Sequence, residues 1–382
     1  MAVVEERVTP STGSGARTVA SLARDWALNS PQHIALREKD FGIWQEFTWA
    51  DTWELIELAA HALLSLGVEV GDRVSIHSED RSEWVLVDLA TVAIRATTVG
   101  LYPTNPAAEV EYALQDCGSV VHVVEDQEQV DKFFDSDPEK VDAVRSLVYL
   151  EPRGFADFTD ERLVFWDAFL ELGREHRSAN PTAVADRMAA AQDDDVMTFV
   201  YTSGTTGPPK GAMLTNANSI YTIDKLIGET AAYPDGKVPH TKDQILTYLP
   251  LCHVAERIFS TWTMLAGGPT LNFAESIETV AANLREIQPT LFFAVPRIWE
   301  RLHAGVMIRG GDATRFKKAW LDLALKAANS IGKAKVANGG KHTAKSRALH
   351  AIFYPLVFRA LQERLGLRHC RRATSGLSLI HI

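Results

Sequence analysis

The chain has 382 residues, 46% of them hydrophobic and 23% charged, with a formal net charge of -10, a balance that permits a real core and reads as a folded protein. Its most apolar long stretch, WVLVDLATVAIRATTVGLYP, is broken by Asp88 and Arg95, and no basic-then-apolar segment opens the chain. Neither a membrane span nor a secretory leader is therefore expected, and the cytoplasm is the expected compartment. Cys117, Cys252 and Cys370 lack C-x-x-C spacing, which argues against a disulfide framework or a zinc site and for reduced packing residues.

In chain order, residues 1–17 are rich in Ser, Thr, Gly and charge and are expected to be a mobile tail. FTWADTWELIELAAHALLSLGV then reads as an amphipathic helix, with Thr48 and Asp51 spaced as a capping box and Gly67 as the stop. DRVSIHS, TTVGLYP and SVVHVVED read as strands, with helices SEWVLVDLATVAIRA and AAEVEYALQDC between them. The same alternation resumes near Asp195 with strands VMTFVYT, QILTYLP, PTLNF and PTLFFAV and the helical stretch SIETVAANLREIQ. Such alternation predicts an α/β fold of layered, largely parallel sheets with helices on both faces. A polar region around Gly173 to Asp186 is expected to join two halves, 18–186 and 187–376. From about Asp312 to Leu367 the pattern turns helical and basic, with a break at Gly339 and Gly340.

The charge is uneven. Arg297 to Arg372 holds 17 Lys and Arg against 4 Asp and Glu, and the remainder holds 22 against 45. The late segment suits anions such as phosphate groups, CoA or an acidic lipid surface, although solvated helix faces give the same composition. No aromatic-interleaved basic motif or zinc-finger spacing is present, so nucleic acid is not an expected partner.

TSGTTGPPKG follows the strand VMTFVYT, at the carboxyl end where ligands gather in open α/β sheets. Its glycines let backbone N–H groups approach an anion. The hydroxyls of Thr202, Ser203, Thr205 and Thr206 can donate to phosphate oxygens, and Lys210 supplies a neutralising charge. Gly204 and Lys210 fit the register of the common nucleoside-triphosphatase loop, but Pro209 stands where the second glycine belongs and Gly211 where the magnesium-binding hydroxyl belongs. The two prolines lack N–H donors, so the segment cannot wrap phosphates as a helix-opening nest does.

The string YTSGTTGPPKGAMLTNAN resembles the phosphate-binding signature of the adenylate-forming superfamily, and YLPLCHVAER and FFAVPRIWERL resemble its long-chain fatty acid CoA ligases most. The resemblance covers about Thr18 to Gly376 and implies an incomplete large N-terminal domain of that fold. It implies ATP-dependent activation of a long-chain fatty acid through an acyl-adenylate to acyl-CoA, with ATP, Mg²⁺ and CoA taking part. Thr202 would bind Mg²⁺ together with the nucleotide phosphates, and Ser203, Gly204, Thr205, Thr206, Gly207 and Lys210 would hold the β- and γ-phosphates. Lys210 and His253 would be the catalytic groups, and Ser375 and Gly376 would begin the loop under the adenine. Transfer of the acyl group to a carrier protein, and a non-catalytic nucleotide- or acyl-binding module, are the alternatives. Peripheral membrane contact is compatible with a water-insoluble substrate.

Read from the residues alone, His253 is either a structural histidine or a positioning group, and Glu256 and Arg257 could form a surface pair. Pro296 is expected to open a helix, and Trp299 to pack in the core rather than line an acyl tunnel. Asp193 to Asp195 reads as a solvated turn rather than a metal site. The family's Tyr-Gly-x-Thr-Glu motif and small C-terminal domain are absent from this sequence. The final LSLIHI, residues 377–382, does not fit the family and matches the translation of a transposon adapter end. These residues are expected to be read-through, and the fragment alone is expected to be a poor catalyst.

Overall fold

A computed structural model describes residues 15–155, 158–202, 208–229, 236–312 and 314–376. They fall into two compact units. The first holds the described residues up to 229 with 238–242 and 247–274, and the second holds the remainder, chiefly those from 275 onward.

The first unit opens with α1 (Val19–Asn29), followed by the antiparallel hairpin β1 (Ile34–Asp40) and β2 (Ile43–Thr48). Phe41 and Gly42 between them both take positive φ, 46° and 80°, the two-residue turn whose twist matches a hairpin. Thr48 and Asp51 cap α2 (Trp49–Ser65) reciprocally, as their spacing predicts. The tail expected through Arg17 does not extend over Gly15–Arg17: the Ala16 N–H donates to the Ala191 carbonyl at 2.9 Å and Arg17 pairs with Asp224 at 2.7 Å.

β3 (Arg73–His77), α3 (Ser82–Ala93), β4 (Thr97–Leu101), α4 (Ala107–Cys117) and β5 (Ser119–Val124) follow the predicted alternation. α5 (Gln127–Phe134), β6 (Ser146–Tyr149), β7 (Leu163–Phe165), α6 (Trp166–Ala179) and α7 (Ala183–Ala189) extend it. The polar region around Gly173 to Asp186 is therefore helical rather than a linker. Gly173 lies against α2, where a Cβ would stand 2.1 Å from the Leu58 carbonyl oxygen.

β8 (Val196–Thr202) and β9 (Lys210–Thr215) then complete a seven-stranded sheet in the order β7-β6-β5-β3-β4-β8-β9, parallel except for the last pair. Because β8 pairs with β4, residues on either side of 186 share one sheet, and the compact units part near 275 instead. Every residue of β4 is buried, as expected of a strand covered on both faces.

The first unit ends with α8 (Asn216–Tyr221), the last residue of β10 (Gln244–Thr247), α9 (Val254–Arg257), α10 (Thr263–Gly267) and β11 (Thr270–Phe273), which lies parallel beside β1. The second unit takes the rest of β10, α11 (Val280–Ile287), β12 (Leu291–Ala294), α12 (Pro296–Gly311), α13 (Arg315–Ala337), α14 (Ala344–Phe353), α15 (Arg359–Leu365) and β13 (Arg372–Ser375). Its strands run parallel, with β12 between β10 and β13. Pro296 occupies the first turn of α12, where its missing N–H costs nothing.

Candidate active site

β8 leaves the sheet at the edge where its parallel neighbours also end, and its last rung sets Thr202 opposite Lys210 on β9. Met197, Thr198 and Val200 are buried in the sheet, whereas Thr202 and Lys210 are exposed beyond it. The hairpin thus presents one hydroxyl and one ammonium across a single rung. Ser203, Gly204, Thr205, Thr206 and Gly207 lie outside the described residues. The flanks of that segment are held from α4: the Tyr112 hydroxyl donates to the Pro209 carbonyl at 3.0 Å, and the Tyr201 hydroxyl to the Asp116 carboxylate at 2.7 Å.

A second loop, Tyr248–His253, follows β10. A Cβ on Gly100 would meet Cα and Cβ of Cys252 at 2.8 Å, so a glycine at this position of β4 lets the loop lie directly on the strand. Gly100 is the register partner of Val200, two residues before Thr202. The loop bearing His253 and the strand delivering Thr202 therefore meet over the β4–β8 pair.

The loop rests on buried carboxyls. Asp80 accepts the Leu251 N–H at 2.9 Å and contacts the Thr247 hydroxyl at 3.0 Å, and Glu256 lies 2.6 Å from the same hydroxyl. One hydroxyl carries one proton, so it donates to only one carboxyl and the other contact needs a carboxyl proton. Electrostatics agree: burial, with Glu79 and Glu125 nearby, raises Asp80 from 3.8 to about 8. Burial and Asp80 hold Glu256 well above the usual carboxylate range.

Glu256 and Arg257 are not a surface pair, since both are buried and each has another partner. The Arg257 guanidinium lies 2.6 Å from both Asp88 carboxylate oxygens, donates to the Thr198 hydroxyl at 2.7 Å and stacks near Trp84 and Trp262. It ties the helix after the His253 loop to α3 and β8.

The His253 Nδ1 accepts the Ala255 N–H at 3.1 Å, which assigns the ring proton to Nε2. Partial burial lowers the pKa of the imidazole, favouring the neutral form. His253 is thus arranged as a neutral Nε2–H donor.

Ser375 and Gly376 belong to the second unit. Ser375 ends β13 opposite Ala294 of β12, and the strand is anchored by Arg371, which pairs with Asp243 at 2.5 Å. Trp299 is half-buried, donates to the Ala294 carbonyl at 3.2 Å and meets Phe292 edge-on, a packing role. Asp195 forms a two-pronged pair with Arg95 at 2.8 and 2.9 Å. Among the described residues no group of three or more His, Cys, Asp or Glu is placed to hold a metal ion. Burial pushes the thiols upward, Cys117 to about 12 and Cys370 to about 11, with Cys252 raised further. None is poised as a thiolate.

Residues 23–353 match the AMP-binding enzyme family. The chain belongs to that family. It is 30% identical over 358 residues to the long-chain-fatty-acid–CoA ligase FadD15 of Mycobacterium bovis, covering 94% of this chain and 56% of that protein. It is 28% identical to the long-chain-fatty-acid–CoA ligase ACSBG2 of Mus musculus, covering 94% and 53%. The chain therefore spans about half the length of these curated relatives. Among solved structures, the inhibitor-bound N-terminal domain of FACL13 from Mycobacterium tuberculosis aligns with a TM-score of 0.59 at 23% identity, covering 74% of this chain and 64% of that one. The adenylation domain of a carboxylate reductase from Mycobacterium chelonae aligns at 0.60 and 18% identity, covering 95% and 54%. These likenesses place the fold among adenylate-forming N-terminal domains. Among the described residues no helix is long and apolar enough to cross a membrane.

Proposed function

We propose that this chain supplies most of the large domain of an AMP-forming long-chain fatty acid CoA ligase, and that the open end of the β8–β9 hairpin receives the phosphates of ATP. The observation carrying this reading is the Thr202–Lys210 rung, exposed at the carboxyl edge of a parallel sheet on either side of a glycine- and hydroxyl-rich segment. Lys210 neutralises charge on the β- and γ-phosphates, with Ser203 to Gly207 as further donors. Thr202 offers the hydroxyl for Mg²⁺. That ion prefers few protein oxygens plus phosphate oxygens and water, which fits a site with one exposed hydroxyl and no carboxylate cluster among the described residues. When bound, Mg²⁺ would supply electrostatic stabilisation of phosphate charge.

In this reading a fatty acid carboxylate oxygen bonds to the α-phosphorus as the bond to the bridging oxygen of the β-phosphate breaks, releasing pyrophosphate. The His253 Nε2–H donates to an oxygen at the reacting centre, and the Gly100 contact fixes the loop that carries it. The CoA thiol, on losing its proton, then bonds to the acyl carbon as the acyl–phosphate bond breaks and AMP leaves. Ser375 and Gly376 begin the contact to adenine. The substrates are a fatty acid, ATP and CoA, and contact with a membrane surface would bring the first of them to the protein.

The test, made on the full-length protein, is fatty acid dependent exchange of labelled pyrophosphate into ATP, followed by acyl-CoA formation. Exchange that Lys210→Ala abolishes, with thioester formed on free CoA, supports the reading. Exchange with transfer only to a carrier protein would replace CoA as acceptor. ATP binding without exchange by the full-length protein would make it a binding module.

A further inference from the structure

In the second unit α12 and α13 form a helical hairpin whose members touch at Gly310, where a Cβ would stand 2.3 Å from Leu321 Cδ2. Five residues back along α12, a Cβ on Gly305 would meet nothing within 4 Å. This splay, closed behind by α15 and the π-helix Tyr354–Phe358 before it, leaves a groove of about 710 Å³. Its walls are apolar: Leu302, Val306, Leu321, Val357, Leu361 and Leu365. Arg285, Arg301, Arg309, Lys317 and Arg364 stand around it, all exposed, and no carboxylate lines it. None of these five cations has an ion pair among the described residues, whereas Arg95, Arg162 and Arg257 of the first unit are each paired with a carboxylate. Among its lining residues Phe316 and Leu356 are 74 and 60% exposed, and Trp320 is 37% exposed.

An apolar slot that excludes carboxylates and is ringed by free cations complements one chemistry, an alkyl chain ending in an anion. Trp320 and Phe316, both lining the groove, are of the kind that an interfacial helix buries at the headgroup and acyl boundary. We propose that the groove docks the second unit on an anionic bilayer, taking one acyl chain of a phospholipid between α12, α13 and α15 while Arg301, Arg309 and Lys317 hold its phosphate. This function is separate from nucleotide binding, and its test contains no ATP, so either reading can fail alone.

The chain is floated with vesicles of phosphatidylcholine, and with vesicles of equal parts phosphatidylcholine and phosphatidylglycerol. Binding is expected only to the second. Reversing two charges, Arg301→Glu with Arg309→Glu, should weaken it about tenfold or more. Gly305→Phe fills the groove from an open position while leaving every cation in place, and should weaken binding severalfold. Equal binding to both vesicles, no binding to either, or a Gly305→Phe variant that binds as tightly as the unaltered chain would overturn the proposal, the last by reducing the cations to a flat electrostatic surface. A second measurement needs no change to the groove: phosphatidylglycerol with brominated acyl chains should quench a fluorescence component that Trp320→Phe removes, and quenching unaffected by that substitution would also contradict the assignment.

Discussion

The two loops meeting over β4 and β8 are built in opposite ways. The hairpin end at Thr202 and Lys210 is exposed, its two side chains set opposite each other by strand register and its flanks tied to α4 by two tyrosine hydroxyls. The His253 loop rests on Asp80, Thr247 and Glu256 and is followed by a fully enclosed Arg257–Asp88 pair. A ligand can supply the missing partners of the first, whereas the second is held from beneath by buried groups and keeps only the His253 Nε2–H for a ligand. Substitutions should therefore separate into losses of binding at the hairpin and losses of stability in the scaffold beneath the loop.

The largest stability effect is expected from Asp88→Ala, which leaves the Arg257 guanidinium buried without its counter-charge at a cost of about 3–5 kcal/mol by urea denaturation. A loss below about 1 kcal/mol would mean that water reaches Arg257 and the loop is not the rigid element described. Next is Gly100→Ala, whose added carbon must displace Cys252 and with it His253. Overpacking of this kind costs about 1–3 kcal/mol. Unchanged stability would show that the loop does not press on β4.

Asp80→Asn probes the carboxyl cluster through pH. Asp80 ionises near 8 in the fold against 3.8 ordinarily, so the folded state holds its proton more tightly than the unfolded one. Its contribution is full below about pH 4 and is lost as pH rises toward 8. The asparagine variant lacks that loss, so its stability relative to the unaltered chain should rise with pH across this window. A difference that stays flat would place the carboxyl in water. Lys210→Ala should cost least in stability, within about 0.5 kcal/mol, since the side chain is exposed.

The same contrast governs what was legible beforehand. The hairpin's chemistry lies within one short string, and the strands, the Thr48–Asp51 cap and the Pro296 helix start are likewise local patterns that repeat with a strand or helix period. The scaffold under His253 joins residues 167 to 171 positions apart, Thr247 and Leu251 to Asp80, and Arg257 to Asp88 across 169. Spacing carries no trace of such contacts, so from the sequence Glu256 and Arg257 could equally form a surface pair. The one available signal was Gly100, a glycine inside a buried strand, which marks close approach by other backbone. The β1–β2 hairpin carries no comparable pattern because its strands are half-exposed and charged, without a clean alternation.

The most direct test of the central claim is a calorimetric titration of the chain with Mg·ATP beside Lys210→Ala, with the unfolding midpoint of each measured in parallel. Phosphate binding at the β8–β9 end predicts that the variant loses about tenfold or more in affinity, a loss of the size a charge-assisted contact carries, while its unfolding midpoint is unchanged. Equal affinity, or a midpoint that falls together with binding, would show that Lys210 belongs to the fold and that the phosphates, if bound at all, sit elsewhere.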